Sequence, residues 1–205
     1  MQTTCAGIIL SGGLNSRMGG RNKALLDLGG RSFLDRILTA IDGCFKELLL
    51  VTRQPELYRN QPVRIVEDIF KLRTPLTGIH SGLVNMTADY GFVTSCDTPL
   101  LKTDLVRMLV REIDVDVDIV APASGSYFQP LCAVYSKRCI PFIEDRLGRG
   151  DVKTDSMYET LKVKRIPYAQ LQVVDPKLDS FFNINTPEDL KFANQTVYIR
   201  ERPQA

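Results

Sequence analysis

The chain has 205 residues, 44% of them apolar and 24% charged, the proportions of a soluble globular domain with a substantial core and too short for two comfortable ones. Lysine and arginine exceed aspartate and glutamate by 26 − 24 = +2. Bulk charge therefore gives no reason to expect nucleic-acid or anionic-membrane binding, and an anionic ligand must be held by local charge. The start lacks the charged and long apolar stretches of a signal peptide, and no apolar run approaches the roughly 18 residues of a membrane span, so a cytoplasmic protein is expected.

In chain order, Cys5–Leu10 reads as a first buried strand. A glycine-rich loop follows. Phe33, Leu34, Ile37, Leu38 and Ile41 fall at helical spacing, with Ser32 placed to cap the helix. Leu48–Thr52 and Arg64–Glu67 read as the second and third strands. A loop, Ile69–Thr77, leads to a helix over Gly78–Asn85. Phe92–Ser95 is another strand, and Thr103 is read as the cap of a helix Asp104–Glu112. Asp118–Pro122, Leu131–Tyr135 and Val163–Ile166 read as strands, and Ile140–Leu147 as a helix. Pro187 suits the first turn of a final helix, with Glu188 and Asp189 favourable near its positive end. This alternation predicts an α/β three-layer sandwich with a mainly parallel sheet. A single domain over 1–205 is expected: 1–122 for the nucleotide, and 123–195, the least regular region, as a substrate side with room for an antiparallel strand. The segment 196–205 is read as a mobile tail.

Five cysteines without a C-x-x-C, most beside apolar residues, read as buried reduced thiols. With one histidine, His80, the chain offers no clustered zinc ligands. His80 itself reads as structural rather than catalytic.

The most informative stretch is Ile8–Leu26, IILSGGLNSRMGGRNKALL. Small residues at a strand end let backbone N–H groups approach phosphates, and Arg17, Arg21 and Lys23 supply positive charge. It is not a P-loop, because Lys23 is followed by Ala24 rather than serine or threonine. Nor is it a dinucleotide fingerprint, because Gly12 and Gly13 are adjacent and the next glycine is Gly19. It resembles the loop of nucleotidyltransferases with a Rossmann-like fold.

Ligands of open α/β sheets bind beyond the carboxyl ends of the strands. Ser11–Lys23, Glu67-Asp68 and Asp97 all follow predicted strands, so one sheet edge can gather them. Asp97 is the metal candidate, since magnesium takes one or two carboxylates plus substrate phosphates; the competing reading is a turn or cap aspartate before Pro99. Asp68 suits a ribose or base, or simply a turn. Asn183 and Asn185 alternate along FFNINTPEDL and share a face, beside a capping role for Thr186. Glu144-Asp145 and Lys162–Arg165 read as solvated faces.

Five motifs, LSGGLNSRMGGRNKALL, TPLTGIHSGL, CDTPLL, QPLCAVYS and FFNINTPEDL, occur in the order seen in molybdenum cofactor guanylyltransferases. The resemblance spans residues 8–190. It implies transfer of GMP from GTP to the terminal phosphate of molybdopterin, normally molybdenum-loaded, with release of pyrophosphate and Mg²⁺ as cofactor. It implies that Leu10, Ser11, Gly12 and Gly13 line the nucleotide site, that Lys23 meets the phosphates, that Asp68 meets the nucleoside and that Asp97 binds metal. Arg17 matches the family's loop arginine, and Asn183 and Asn185 its late polar pair. Lys23, Arg17 and Asp97 are thereby the catalytic candidates. Two positions depart from the pattern. Val51-Thr52-Arg53 stands where relatives carry asparagine, leaving Thr52 as the substitute nucleoside contact, and Gln129 stands where relatives carry histidine. The pterin is expected over 123–180, with its phosphate on Arg73, Lys153 or Lys164. The implied partners are GTP and molybdopterin, with molybdopterin-delivering proteins and acceptor molybdoenzymes beyond them. The loop reads phosphates rather than bases, so three alternatives remain: a CTP-using enzyme, a sugar- or alcohol-phosphate nucleotidyltransferase, and a non-catalytic cofactor-handing partner.

Overall fold

The structure, a computed structural model, describes residues 4–12 and 22–201. Strand β1 (Cys5–Ser11) leads to a 3-10 turn at Lys23–Leu25 and a hairpin of β2 (Asp27–Leu28) and β3 (Arg31–Ser32). Gly29 and Gly30 form the hairpin turn with φ of 61° and 80°, a left-handed pair that glycine adopts without side-chain strain. Helix α1 (Phe33–Ile41) follows, and Ser32 caps it by accepting the Asp35 N–H. Next come β4 (Leu48–Thr52), a 3-10 turn at Pro55–Tyr58, β5 (Arg64–Glu67), α2 (Pro75–Asn85), β6 (Tyr90–Ser95) and α3 (Thr103–Arg111). The second half contains β7 (Ile119–Ser124), β8 (Tyr127–Phe128), β9 (Cys132–Ser136), α4 (Ile140–Gly148), α5 (Asp155–Thr160), β10 (Val163–Pro167), α6 (Tyr168–Leu171) and α7 (Pro187–Glu201).

The main sheet runs β10-β7-β9-β6-β1-β4-β5, with β8 hydrogen-bonded to β7. Along this path β9 is antiparallel to both neighbours and the other strands are mutually parallel. The expected mainly parallel α/β sandwich is thus present, with an antiparallel strand in the region 123–180. Alternation along β1 divides the core. Ile8 and Leu10 face a cluster built with α2 and α4 residues, including Ile79, Leu83 and Ile143, whereas Ile9 faces Leu34, Ile37, Leu105 and Leu109 of α1 and α3.

Chain order goes from β1 outward to β4 and β5, then returns across to β6 on the other side of β1. That reversal opens a crevice at the carboxyl edge between β1 and β6. The registers Ser11↔Thr52, Thr52↔Glu67 and Leu10↔Ser95 bring these strand ends level at that edge.

Four sequence expectations are corrected. Helix α2 begins at Pro75 rather than Gly78, because Thr74 accepts the Leu76 N–H and Pro75 preorganises the first turn. Thr103 is the first residue of α3 rather than its cap; Lys102 takes the cap position, and its own N–H is claimed by Ser180 Oγ. Residues 196–201 are helical rather than a loose tail, since Val197 packs with Leu28, Phe33 and Ala193 in a third, small core. Glu144 is no solvated bystander: its carboxylate meets His80 Nε2 at 3.1 Å, joining α2 to α4. The five thiols are free. Cys96, Cys132 and Cys139 are buried, Cys5 and Cys44 partly so, and burial pushes the Cys96 and Cys139 thiols up to about 12.

Helix α2 lies directly on β1 because Gly82 has no side chain: a Cβ there would meet Ile8 Cγ2 at 2.6 Å. Ile8 is β-branched and fully buried, so it has little freedom to yield. Gly82→Ala should destabilise by about 1–3 kcal/mol, the usual cost of overpacking. Urea unfolding monitored by circular dichroism would register this as a lower midpoint. An unchanged midpoint would contradict the close approach.

Candidate active site

Lys23 heads the 3-10 turn that Asn22 caps through Ala24 N–H→Asn22 Oδ1 (3.0 Å). From there its ammonium donates to Asn185 Oδ1 at 2.5 Å and stands 3.6 Å from Asp97 Oδ2. The side chains of Lys23 and Asp97 are only 12% and 22% exposed, so water screens this pair weakly.

Asp97 follows β6 in a turn closed by Thr98, whose hydroxyl donates to Ser95 O at 2.8 Å. The Asp97 carbonyl accepts the Ile184 N–H at 2.8 Å, tying this turn to the segment that carries Asn185. Asn185 is fixed in turn by a capping box at the start of α7. Asp189 Oδ2 accepts the N–H groups of Asn185 (2.9 Å) and Thr186 (2.8 Å), while Thr186 Oγ1 accepts the Asp189 N–H. Those bonds, that from Asn185 first, hold the Asp189 carboxyl below its ordinary range. Asn183 is exposed, two residues before Asn185 on the same segment.

Asp97 Oδ1 is buried and has no hydrogen-bond partner among the described residues. A lone carboxylate oxygen out of water is costly unless something positive meets it. As a hard oxygen donor beside the crevice, it fits a divalent cation such as Mg²⁺. Among the described residues there is no cluster of three or more acidic, histidine or cysteine ligands, which suits the usual magnesium pattern of one or two carboxylates completed by substrate phosphates and water.

Along the same edge, Leu10 and Ser11 end β1, both nearly buried, and Gly12 is exposed. A Cβ on Gly12 would lie 3.9 Å from Asp68 Oδ2, so the loop entrance adjoins that carboxylate. Arg53 orients Asp68: Nε donates to Asp68 Oδ2 at 2.6 Å, and Nη2 to the Leu72 carbonyl at 2.7 Å and the Phe70 carbonyl at 3.2 Å. Thr52 is buried and accepts the Gln54 N–H on its hydroxyl. Sequence reasoning missed Arg53, which it noticed only as a departure from the family pattern, and Tyr58, which resembles any core aromatic. Gly13, Arg17 and Arg21 lie outside the described residues.

A second clamp fixes the metal-candidate turn from behind. Lys102 Nζ meets fully buried Asp175 at 2.7 Å, while the Ser180 N–H donates to Asp175 Oδ2 at 2.8 Å. His80, by contrast, points to Glu144 with its ring edge on Phe70, and Gln129 donates to the Tyr168 hydroxyl.

With this geometry in hand, comparison with known proteins gives a consistent result. The profile of the MobA-like NTP transferase domain matches residues 7–165. A molybdenum cofactor guanylyltransferase of Desulfosudis oleivorans is 38% identical over 191 residues, covering 93% of this chain and 95% of the relative. The chain belongs to the molybdenum cofactor guanylyltransferase family. A probable molybdenum cofactor guanylyltransferase of Natranaerobius thermophilus is 35% identical over 95% of this chain and 97% of its own length. The crystal structure of molybdopterin-guanine dinucleotide biosynthesis protein A from Archaeoglobus fulgidus superposes with a TM-score of 0.84 at 27% identity, covering 95% of this chain and 99% of that one. The protein is thus a nucleotidyltransferase by family and by fold. Among the described residues no helix is long and apolar enough to cross a membrane.

The Asp175 clamp has a pH signature. Burial alone would raise its carboxyl, but Lys102 and the Ser180 N–H outweigh burial and hold it below the ordinary 3.8. A group with a depressed folded pKa stabilises the protein above its unfolded value, and that stability is lost as pH falls through the folded value. Thermal midpoints should therefore fall with pH below about 4 in the wild type. Asp175→Asn should have a lower midpoint at neutral pH and a shallower acid limb. An acid limb as steep as that of the wild type would exclude this carboxylate as a contributor.

Proposed function

We propose that the protein transfers GMP from GTP to the terminal phosphate of molybdopterin, normally molybdenum-loaded, forming molybdopterin guanine dinucleotide and pyrophosphate. The observation that carries this reading is the meeting of Lys23, Asp97 and Asn185 beside Ser11 and Gly12, in a chain of this family. The nucleophile is already a phosphate oxygen, largely ionised at neutral pH, so no strong base is required. The obstacle is repulsion between two anions and charge building on departing pyrophosphate. Positioning and electrostatic stabilisation meet that obstacle.

Lys23 holds the triphosphate with its ammonium and stabilises the leaving charge, and Arg17, by its place in the loop motif, shares that task. Ser11, Gly12 and Gly13 orient the phosphates through their amides, with Leu10 shaping the floor. Asp68, set by Arg53, and Thr52 lie on the nucleoside side, and Asn185 and Asn183 on the polar strip facing it. Asp97 Oδ1 is the protein ligand for Mg²⁺, which, once bound with the phosphates, supplies charge neutralisation. Residues 1–122 hold the nucleotide, and residues 123–195 hold the pterin.

For the pterin phosphate, Lys164 is disfavoured. It pairs with Glu112 at 2.8 Å near the far end of α3, away from the carboxyl edge. Arg73 and Lys153 remain, on two segments joined by Thr74 Oγ1→Val152 O (2.9 Å). The cytoplasm is the compartment we assign, with molybdopterin-delivering proteins and acceptor molybdoenzymes as protein partners.

The test is incubation with molybdopterin, Mg²⁺ and each nucleoside triphosphate, with pyrophosphate release and product mass measured. GTP should be the preferred donor. Asp97→Ala should reduce kcat by at least about a hundredfold with its unfolding midpoint retained, and Lys23→Ala should raise the KM for GTP and slow turnover about tenfold or more. Preference for CTP, or activity of Asp97→Ala within a few fold of wild type, would overturn the assignment.

A further inference from the structure

The Tyr58 side chain is fully buried behind the carboxyl edge, yet its hydroxyl sits between the two ends of the phosphate-loop motif. It lies 2.6 Å from Ser11 Oγ and 2.7 Å from Asn22 Nδ2. The direction of these bonds follows from one fixed point. The Ala24 N–H can only donate, so the Asn22 oxygen must face it. The Asn22 amide nitrogen then faces Tyr58 and, at 3.4 Å, Gln54 Oε1, and it can only donate to both. The phenol oxygen is therefore an acceptor from Asn22, and since Ser11 Oγ is the only acceptor among the described residues within reach of this buried hydroxyl, its own hydrogen goes there. That hydrogen is present at all ordinary pH, because burial raises the phenol pKa further than the Ser11 and Asn22 bonds lower it. With its oxygen accepting from Tyr58, Ser11 keeps its own hydroxyl proton for another acceptor. In the free protein the sulfur of Cys96 adjoins it, a weak acceptor.

We propose that Tyr58 is a positioning residue that sets the polarity of the chain Ala24→Asn22→Tyr58→Ser11, so that the Ser11 hydroxyl donates to a phosphate oxygen of the bound nucleotide. The same chain holds Asn22, and with it the turn that presents Lys23 to Asn185 and Asp97. One phenol thus couples the residue before the loop to the cation after it. The inference rests on the reading above in placing the triphosphate at Ser11, and it holds for any base or acceptor.

Inorganic tripolyphosphate is the probe, because it carries no base. Its dissociation constant is measured by calorimetry for wild type, Ser11→Ala, Tyr58→Phe, the double variant and Asn22→Ser. The serine at position 22 keeps a cap oxygen for Ala24 but is too short to reach the phenol. Loss of a hydrogen bond to a charged group should weaken binding about tenfold in Ser11→Ala and several-fold in Tyr58→Phe and Asn22→Ser. The double variant should bind no more weakly than Ser11→Ala, since both changes act through one proton. A purely structural role for Tyr58 would instead lower the melting temperature of Tyr58→Phe without changing its affinity. Equal constants in wild type and Ser11→Ala, losses that multiply in the double variant, or no binding by wild type would each overturn the proposal. Turnover of GTP by wild type is recorded alongside. Turnover with equal constants in all variants sinks this inference alone, whereas the expected binding pattern without turnover sinks only the guanylyl-transfer reading.

Discussion

A lysine ammonium held between an amide oxygen and a carboxylate organises this protein's crevice. Lys23 lies 162 positions from Asn185 in sequence, and its contact with that residue and with Asp97 draws together the turn after the glycine loop, the end of β6 and the start of α7. Each of the three is anchored independently. Asn22 caps the lysine's turn, Thr98 closes the aspartate's, and Asp189 fixes the asparagine through a capping box. Preorganised in this way, the charges need little rearrangement when a polyanion arrives, which is how a site of fixed dipoles lowers a barrier between like charges.

The asymmetry of the Asp97 carboxylate carries the metal argument. One oxygen faces the ammonium, and the other is buried with no hydrogen-bond partner among the described residues. Most buried polar atoms are paired, so an unmet oxygen on Asp97 leaves room for a positive partner. A half-satisfied carboxylate beside an α/β crevice supports the proposed cation shared with substrate phosphates.

Much of this was legible from sequence because its signals are local. Uninterrupted apolar runs bounded by polar residues marked β4 and β5 to the residue, and Pro187 with Thr186 and Asp189 marked the start of α7. The glycine loop, and aspartates immediately after buried strands, pointed to one sheet edge, and Asp68 and Asp97 both lie there. The remainder depended on contacts between distant segments. The two-residue strands of the Gly29-Gly30 hairpin are too short to leave a periodic signal, and its role emerges only through packing against α7. Lys102 displaces Thr103 from the cap because Ser180, far along the chain, takes its N–H. Arg53 and Tyr58 carry no motif of their own. Their importance lies in what the fold sets against them, Asp68 in one case and Ser11 with Asn22 in the other.

The central claim is that the carboxyl edge of β1 and β6 gathers around one nucleotide. The most direct test is a crystal structure of the protein with a non-hydrolysable GTP analogue and Mg²⁺. The account predicts the triphosphate within hydrogen-bonding reach of Ser11 and the Lys23 ammonium, with the ion on Asp97 Oδ1. A nucleotide bound elsewhere, or one at this edge with its metal clear of Asp97, would contradict it.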